Sequence, residues 1–184
     1  MPRSTPPRNA WFLVPAACIA VAPAYAAQYL TVEQAQRLMF PESASFVSAP
    51  LALSAEQRRA IDTAAHARAT AGDPMVWRAM VGDKSAGWFI VDEVIGKVER
   101  ITYAVSLTPE GAVRAIEILD YRETHGYEVR NAAWRRQFNG KVAGKPPELD
   151  DDIKNISGAT LSCRHITDGV RRLLVLHETV LKRS

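Results

Sequence analysis

The chain has 184 residues, 47% of them apolar, and 23 Lys and Arg face 20 Asp and Glu for a formal charge of +3. That composition is globular and leaves room for a sizeable core. Most of the positive excess sits in Arg3 and Arg8; without them 21 basic residues face 20 acidic ones, which excludes a surface built to bind nucleic acid.

Arg3 and Arg8 precede the apolar stretch Trp11 to Ala22 and then Ala24-Tyr25-Ala26, the three parts of a secretory signal peptide. Residues 1–26 are therefore expected to be removed, leaving about 158 residues as a periplasmic or otherwise extracytoplasmic protein. Two alternatives stand beside cleavage: retention as a short membrane anchor, and lipidation at Cys18. Pro15, Pro23 and the shortness of the stretch weigh against a spanning helix, and Val14-Pro15-Ala16-Ala17 is a poor lipoprotein signal. Beyond residue 26 Cys163 is the sole cysteine, so no internal disulfide is available and stability must come from the core. No Cys-x-x-Cys-His and no His/Cys/Asp cluster at ligand spacing occurs, so neither covalent c-type haem nor a metal site is expected.

Residues 27–74 read as an N-terminal helical segment. Thr31-x-x-Gln34 and Ser54-x-x-Gln57 are capping boxes, predicting helices over 31–39 and 55–70, with 41–50 extended or looped. After Gly72-Asp73-Pro74 the residues turn β-branched and aromatic, and 76–81, 87–94, 97–107 and 112–121 read as an antiparallel meander. Ile101, Tyr103, Val105 and Leu107 alternate with polar or small residues, as one buried face requires, and Pro109-Glu110-Gly111 supplies a hairpin turn. A short helix is expected over 131–138. In the last segment Ile166, Val170, Leu173, Leu174 and Leu181 recur at helical spacing and predict a packed helix. The paired arginines Arg135-Arg136 and Arg171-Arg172 read as solvated faces. The fold class that follows is α+β, an antiparallel meander packed against a few helices, with residues 75–184 as the second unit.

Ser157-Gly158-Ala159-Thr160, between Asp150-Asp151-Asp152-Ile153 and the final helix, carries the chemistry. Small residues keep the backbone approachable, glycine admits a tight turn, and Thr160 falls where the helix begins. A phosphate there would meet unpaired N–H groups and the positive end of the helix dipole. The competing reading is a serine cap on an ordinary helix. A hydrolase finds no support, since no nucleophile, base and acid stand in a usable arrangement.

Four segments in order resemble the FMN-binding domain family, which includes the extracytoplasmic flavin subunits of the sodium-translocating NADH:quinone oxidoreductase and of the Rnf complex. They are the hairpin from Gly87-Trp88-Phe89 to Ile118, the turn Glu123-Thr124-His125-Gly126, the stretch Trp134 to Lys141 ending in aromatic-x-Gly-Lys, and Ile156 to Ser162. The resemblance covers about residues 87–174 and implies an FMN-binding-domain-like fold with FMN as cofactor. It implies that the Thr160 hydroxyl is joined to the FMN phosphate by a separate flavin transferase, which uses FAD as donor and magnesium as helper. Ser157, Gly158 and Ala159 are then the cradle, and Glu123 and Thr124 the flavin contacts. It further implies an electron carrier working with a membrane-bound electron-transfer protein, rather than a turnover enzyme; a reversible ligand-binding or sensory module of the same fold is the alternative. Two positions depart from the pattern. Lys154 stands where covalently flavinylated members often carry aspartate, with Asp152 two residues earlier; it is either a partner for the phosphate or a solvated loop lysine. His125-Gly126-Tyr127-Glu128 replaces Pro-Gly-Leu-Gly, changing the wall beside the ring. Tyr127, Trp88 and Trp134 are candidates to border the ring or to fill the core. His125 is either a tuning group or a loop histidine. Cys163 reads as a buried small hydrophobe, and His165, without a partner at ligand spacing, as structural.

Overall fold

A computed structural model describes residues 27–43, 45–68 and 72–183; the expected signal peptide, with Cys18, lies outside the described residues. The elements are β1 (Ala27–Gln28), α1 (Val32–Met39), β2 (Ser45–Ser48), α2 (Ala55–Ala65), β3 (Met75–Val81), β4 (Lys84–Ile95), β5 (Arg100–Leu107), β6 (Val113–Tyr121), α3 (Ala132–Arg135) and α4 (Thr160–Thr179), with 3₁₀ turns beside α3 and after α4. The strands form one antiparallel sheet in the order β1-β6-β5-β4-β3-β2. The α+β meander read from sequence is therefore the architecture observed.

Both capping boxes form: the Thr31 and Ser54 hydroxyls accept from the N–H of Gln34 and Gln57, whose side chains accept in return from the cap N–H. Each satisfies two of the helix's orphan donors. The second helix is shorter than expected, because His66 turns left-handed at φ 49° and closes it onto Asp62 and Thr63. The stretch after Pro41 read as extended or looped holds β2, an edge strand paired to β3 from Ser45 opposite Met80 to Ser48 opposite Trp77. Residues 27–74 thus contribute both edges of the sheet, through β1 on β6 and β2 on β3.

Ile101, Tyr103, Val105 and Leu107 face α4 and are fully buried, as are Ile166, Val170 and Leu173 on the helix, with Leu174 almost so. The opposite face is covered as well: Phe89, Val91, Ala104 and Leu119 pack against Ala35, Met39 and Phe40 at the end of α1. The alternation in β5 therefore separates two cores instead of core from solvent.

The paired arginines are corrected at three positions, of which Arg171 is largely covered and pairs with Asp168 one turn earlier on α4. Arg172 is only 3% exposed; its Nε donates to Asp62 of α2 at 2.7 Å and Nη1 lies 3.9 Å from Asp92 of β4. Asp92 also accepts from the buried Tyr103 hydroxyl at 3.0 Å. Arg135 is largely covered, paired with Glu117 and donating to the Ile116 carbonyl. Opposite charges brought in from distant elements make burial tolerable for both.

Candidate functional site

Three segments converge on one cleft of 590 Å³, within the size range of small-molecule sites at roughly 300–1,000 Å³. The β4–β5 turn supplies Lys97 and Val98, and the turn after β6 supplies Glu123, Thr124 and His125. The third wall is Gly158 with the start of α4, Ala159 to Ser162.

The helix end is open. Ala159 occupies the N-cap position, where no side chain accepts from the first turn, and the first backbone bond into it is Cys163 N–H to the Ala159 carbonyl. Ser157 is therefore not the cap of an ordinary helix. Early N–H groups left without a side-chain acceptor are the feature that receives an anion. Gly158 makes the preceding turn at φ 85°, with nothing within 4 Å of where a Cβ would stand. Thr160 follows, exposed at the first helical position and lining the cleft.

The loop leading into this end is fixed from below. Trp134 donates its indole N–H to the Lys154 carbonyl at 2.7 Å, and Lys154 N–H donates to the Gln137 side chain at 2.9 Å. Asp152 pairs with Lys141 and accepts from Glu148 N–H. Burial pushes the Asp152 carboxyl up, but the Glu148 amide and Lys141 outweigh it and hold the group below the ordinary range. The Trp134 to Lys141 landmark therefore braces the motif loop. Trp134 itself packs edge-on against Phe138 in the core, while Trp88 lies between Arg78 and His177 at another part of the sheet. Neither borders the cleft.

The turn after β6 is tied to the helix start. The Tyr121 hydroxyl donates to the His125 carbonyl at 2.6 Å and shares a 3.2 Å hydrogen bond with Ser162 Oγ. Gly126 adopts φ 88°, and a Cβ on it would stand 2.6 Å from the Tyr121 oxygen and 3.2 Å from Ala159 Cβ. Only glycine serves both the dihedral and the close approach. Thr124 Oγ1 and His125 Nδ1 are 2.9 Å apart on the exposed side of this turn. Tyr127, next in the chain, is 60% exposed.

Of the residues expected at the site, Gly158, Ala159, Thr160, Glu123 and Thr124 line the cleft together; Ser157 and Lys154 do not. Lys154 is engaged by its backbone beside Trp134, and the lysine in the wall is Lys97. Sequence reasoning also missed Val98, Leu161 and Ser162; the last two follow Thr160 directly and could have been included by adjacency. The Glu123 carboxylate accepts from Val98 N–H at 2.6 Å and Glu99 N–H at 2.9 Å. Burial raises its pKa, but the amides of Val98, Glu99 and Lys97 and the Lys97 charge together hold it below the usual value. Cys163 is fully buried, and burial pushes its thiol up, so it stays neutral. His165, read from the sequence as structural, bonds through Nδ1 to the carbonyls of Ile95 at 2.5 Å and Gly96 at 3.1 Å.

A second cleft of 430 Å³ lies between residues 47–52, β3 and the end of the chain. Its one ionisable lining residue, Arg78, is stacked 4.6 Å over Trp88, so convergent polar groups are lacking there. Among the described residues no helix is long and apolar enough to cross a membrane, and no group of acidic, histidine or cysteine side chains is placed to hold a metal ion.

No curated protein matches this chain. A crystal structure of NqrC from Shewanella oneidensis superposes with a TM-score of 0.52 at 16% identity, over 73% of this chain and 80% of that one, a likeness of fold. Residues 96–175 match the family described as FMN-binding domain. That span contains every wall of the cleft, from Lys97 to Ser162, and over it the chain resembles the FMN-binding domain family.

Proposed function

We propose that this protein is an exported electron-transfer flavoprotein that carries FMN in the Thr160 cleft, attached through its phosphate to the Thr160 hydroxyl. The observation that carries this reading is the exposed Thr160 at a helix start without a side-chain cap, opening into a 590 Å³ cleft inside the span matched by the FMN-binding domain. The residues fit the group. The first-turn N–H groups and the dipole of a 20-residue helix suit a phosphate, and the open backbone at Gly158 lets it approach.

In attachment, Thr160 Oγ forms a bond to phosphorus, the phosphoanhydride of FAD breaks, AMP leaves, and the hydroxyl proton passes to the transferase's base. The domain is the substrate of that step, and a separate flavin transferase its catalyst. Bound FMN supplies one- and two-electron chemistry. The chain's own residues hold the phosphate end at the helix, leave one side of the cleft open to a membrane-bound donor and an extracytoplasmic acceptor, and set the local charge through Lys97 and Glu123. Attachment suits a compartment where lost FMN would not be replaced.

A reversible FMN-binding or sensory module is the second reading. It is favoured by Lys154, which stands where attached relatives often carry aspartate, and by the engagement of Asp152, two residues earlier, with Lys141. Denaturing gels of the protein expressed with a flavin transferase separate the two. A flavin-fluorescent band lost in Thr160→Ala supports attachment; a dark wild-type band from protein that binds added FMN supports the second reading.

A further inference from the structure

The resemblance makes Glu123 a flavin contact, yet in the structure the carboxylate is spent on the protein. Its Oε1 accepts from two successive amides of the β4–β5 turn, Val98 and Glu99, and its side chain fills the space beside Gly96, where a Cβ would stand 2.6 Å from the same oxygen. From the other side His165 of α4, with its proton on Nδ1, donates to the carbonyls of Ile95 and Gly96. Gly96 N–H closes the turn onto the Glu99 carbonyl at 2.8 Å. A four-residue hairpin tip needs no such double anchoring to connect two strands. What the anchoring fixes is Val98, 72% exposed with its apolar side chain in the cleft wall, and Lys97 beside it. Across the cleft Leu161 is 42% exposed. Two exposed aliphatic side chains and one ammonium around a common cleft suit a flat, largely apolar ring system that carries negative charge.

We propose that the Lys97–Val98 turn is a preorganised wall for the flavin, and that Glu123, aided by His165, is a positioning residue that holds this wall and not a ligand contact. The proposal rests on the reading that FMN occupies this cleft. A wall fixed before binding spares the ligand the cost of ordering it.

The test uses protein made without flavin transferase, free FMN titrated by quenching of its fluorescence, and amide hydrogen exchange of the unliganded protein. In Glu123→Ala the Val98 and Glu99 amides are expected to exchange at least about tenfold faster, and FMN to bind about tenfold more weakly, as loss of two hydrogen bonds to a charged acceptor implies. Glu123→Gln keeps an acceptor oxygen and should stay within about threefold of wild type in both readouts. Lys97→Gln and Val98→Ser, at surface positions, should weaken FMN with protection at Glu99 intact. Weaker FMN binding in Glu123→Ala with unchanged exchange at Val98 and Glu99 would overturn the proposal, as would Lys97→Gln and Val98→Ser both binding like wild type. Failure of the wild type to take FMN would count against the proposed function, and the exchange rates in Glu123→Ala would then decide the clamp alone.

Discussion

Gly126→Ala tests whether the turn after β6 is seated on the helix start as the structure places it. The residue sits at φ 88°, where an L side chain costs about 1–2 kcal/mol. The new Cβ would also stand 2.6 Å from the Tyr121 hydroxyl, and Tyr121 is buried and has little room to retreat. Displacing that hydroxyl loses its bonds to the His125 carbonyl and Ser162, each worth about 1 kcal/mol. The expected total is about 3–4 kcal/mol, or a fall in Tm of about 6–16 °C for a domain of this size. Gly82→Ala is the control. It has φ 57° with nothing within 4 Å of the Cβ, so it should cost only about 1–2 kcal/mol. Urea unfolding followed by tryptophan fluorescence reads both. A Gly126→Ala loss no larger than that of Gly82→Ala would refute the packing of the turn against Tyr121 and Ala159.

Further expectations follow from the buried charges and the loop braces. Arg172→Met strands Asp92 inside the core and should destabilise by about 3–5 kcal/mol, part of it recovered by adding Asp92→Asn; equal stability of the single and double variants in thermal melts would contradict the network. Burial pushes the Asp92 carboxyl above its ordinary value, against the opposing pull of the Glu93 amide, Arg172 and Tyr103. Its contribution is therefore present at low pH and lost as pH rises through the folded value, so Asp92→Asn should gain on wild type as the pH rises from the ordinary carboxylate range at about pH 3.9 through that folded value. Glu123 has the opposite sign. Held below its ordinary value, it stabilises above the usual carboxylate range near about pH 4.3 and loses that contribution as the pH falls through the folded value. Glu123→Gln should flatten the acid limb of a pH–stability curve, and an unchanged limb would count against the paired carboxylate. Trp134→Phe removes the N–H that holds the Lys154 carbonyl and should cost about 1 kcal/mol or somewhat more, with faster exchange across 154–159 in hydrogen-exchange mass spectrometry.

What was legible in the sequence was local. The capping boxes at Thr31 and Ser54, the Pro109–Gly111 turn and the apolar stripe of α4 each depend on residues within a few positions, and each formed. The opening at Gly158 and Thr160 belongs to the same class, since a positive-φ glycine before a helix without a side-chain cap is written in four consecutive residues. What was not legible depends on pairing across the chain. Arg172 reads as a solvated charge until Asp62 and Asp92, from α2 and β4, are brought to it. Lys154 lies three residues before the motif and Lys97 more than fifty, yet the β4–β5 hairpin brings Lys97 into the wall while Trp134 and Gln137 hold Lys154 elsewhere. Glu123 lines the cleft, as its landmark turn led one to expect, and only the fold adds that its carboxylate accepts from the amides of Val98 and Glu99.

The most direct test of the central claim is the intact mass of the protein recovered after export from cells containing a flavin transferase, with peptide mapping across Thr160. The account predicts an adduct of one FMN less one water, confined to the peptide containing Thr160 and absent in Thr160→Ala. An unmodified mass in properly exported protein, with the transferase active on another substrate in the same cells, would contradict attachment at Thr160.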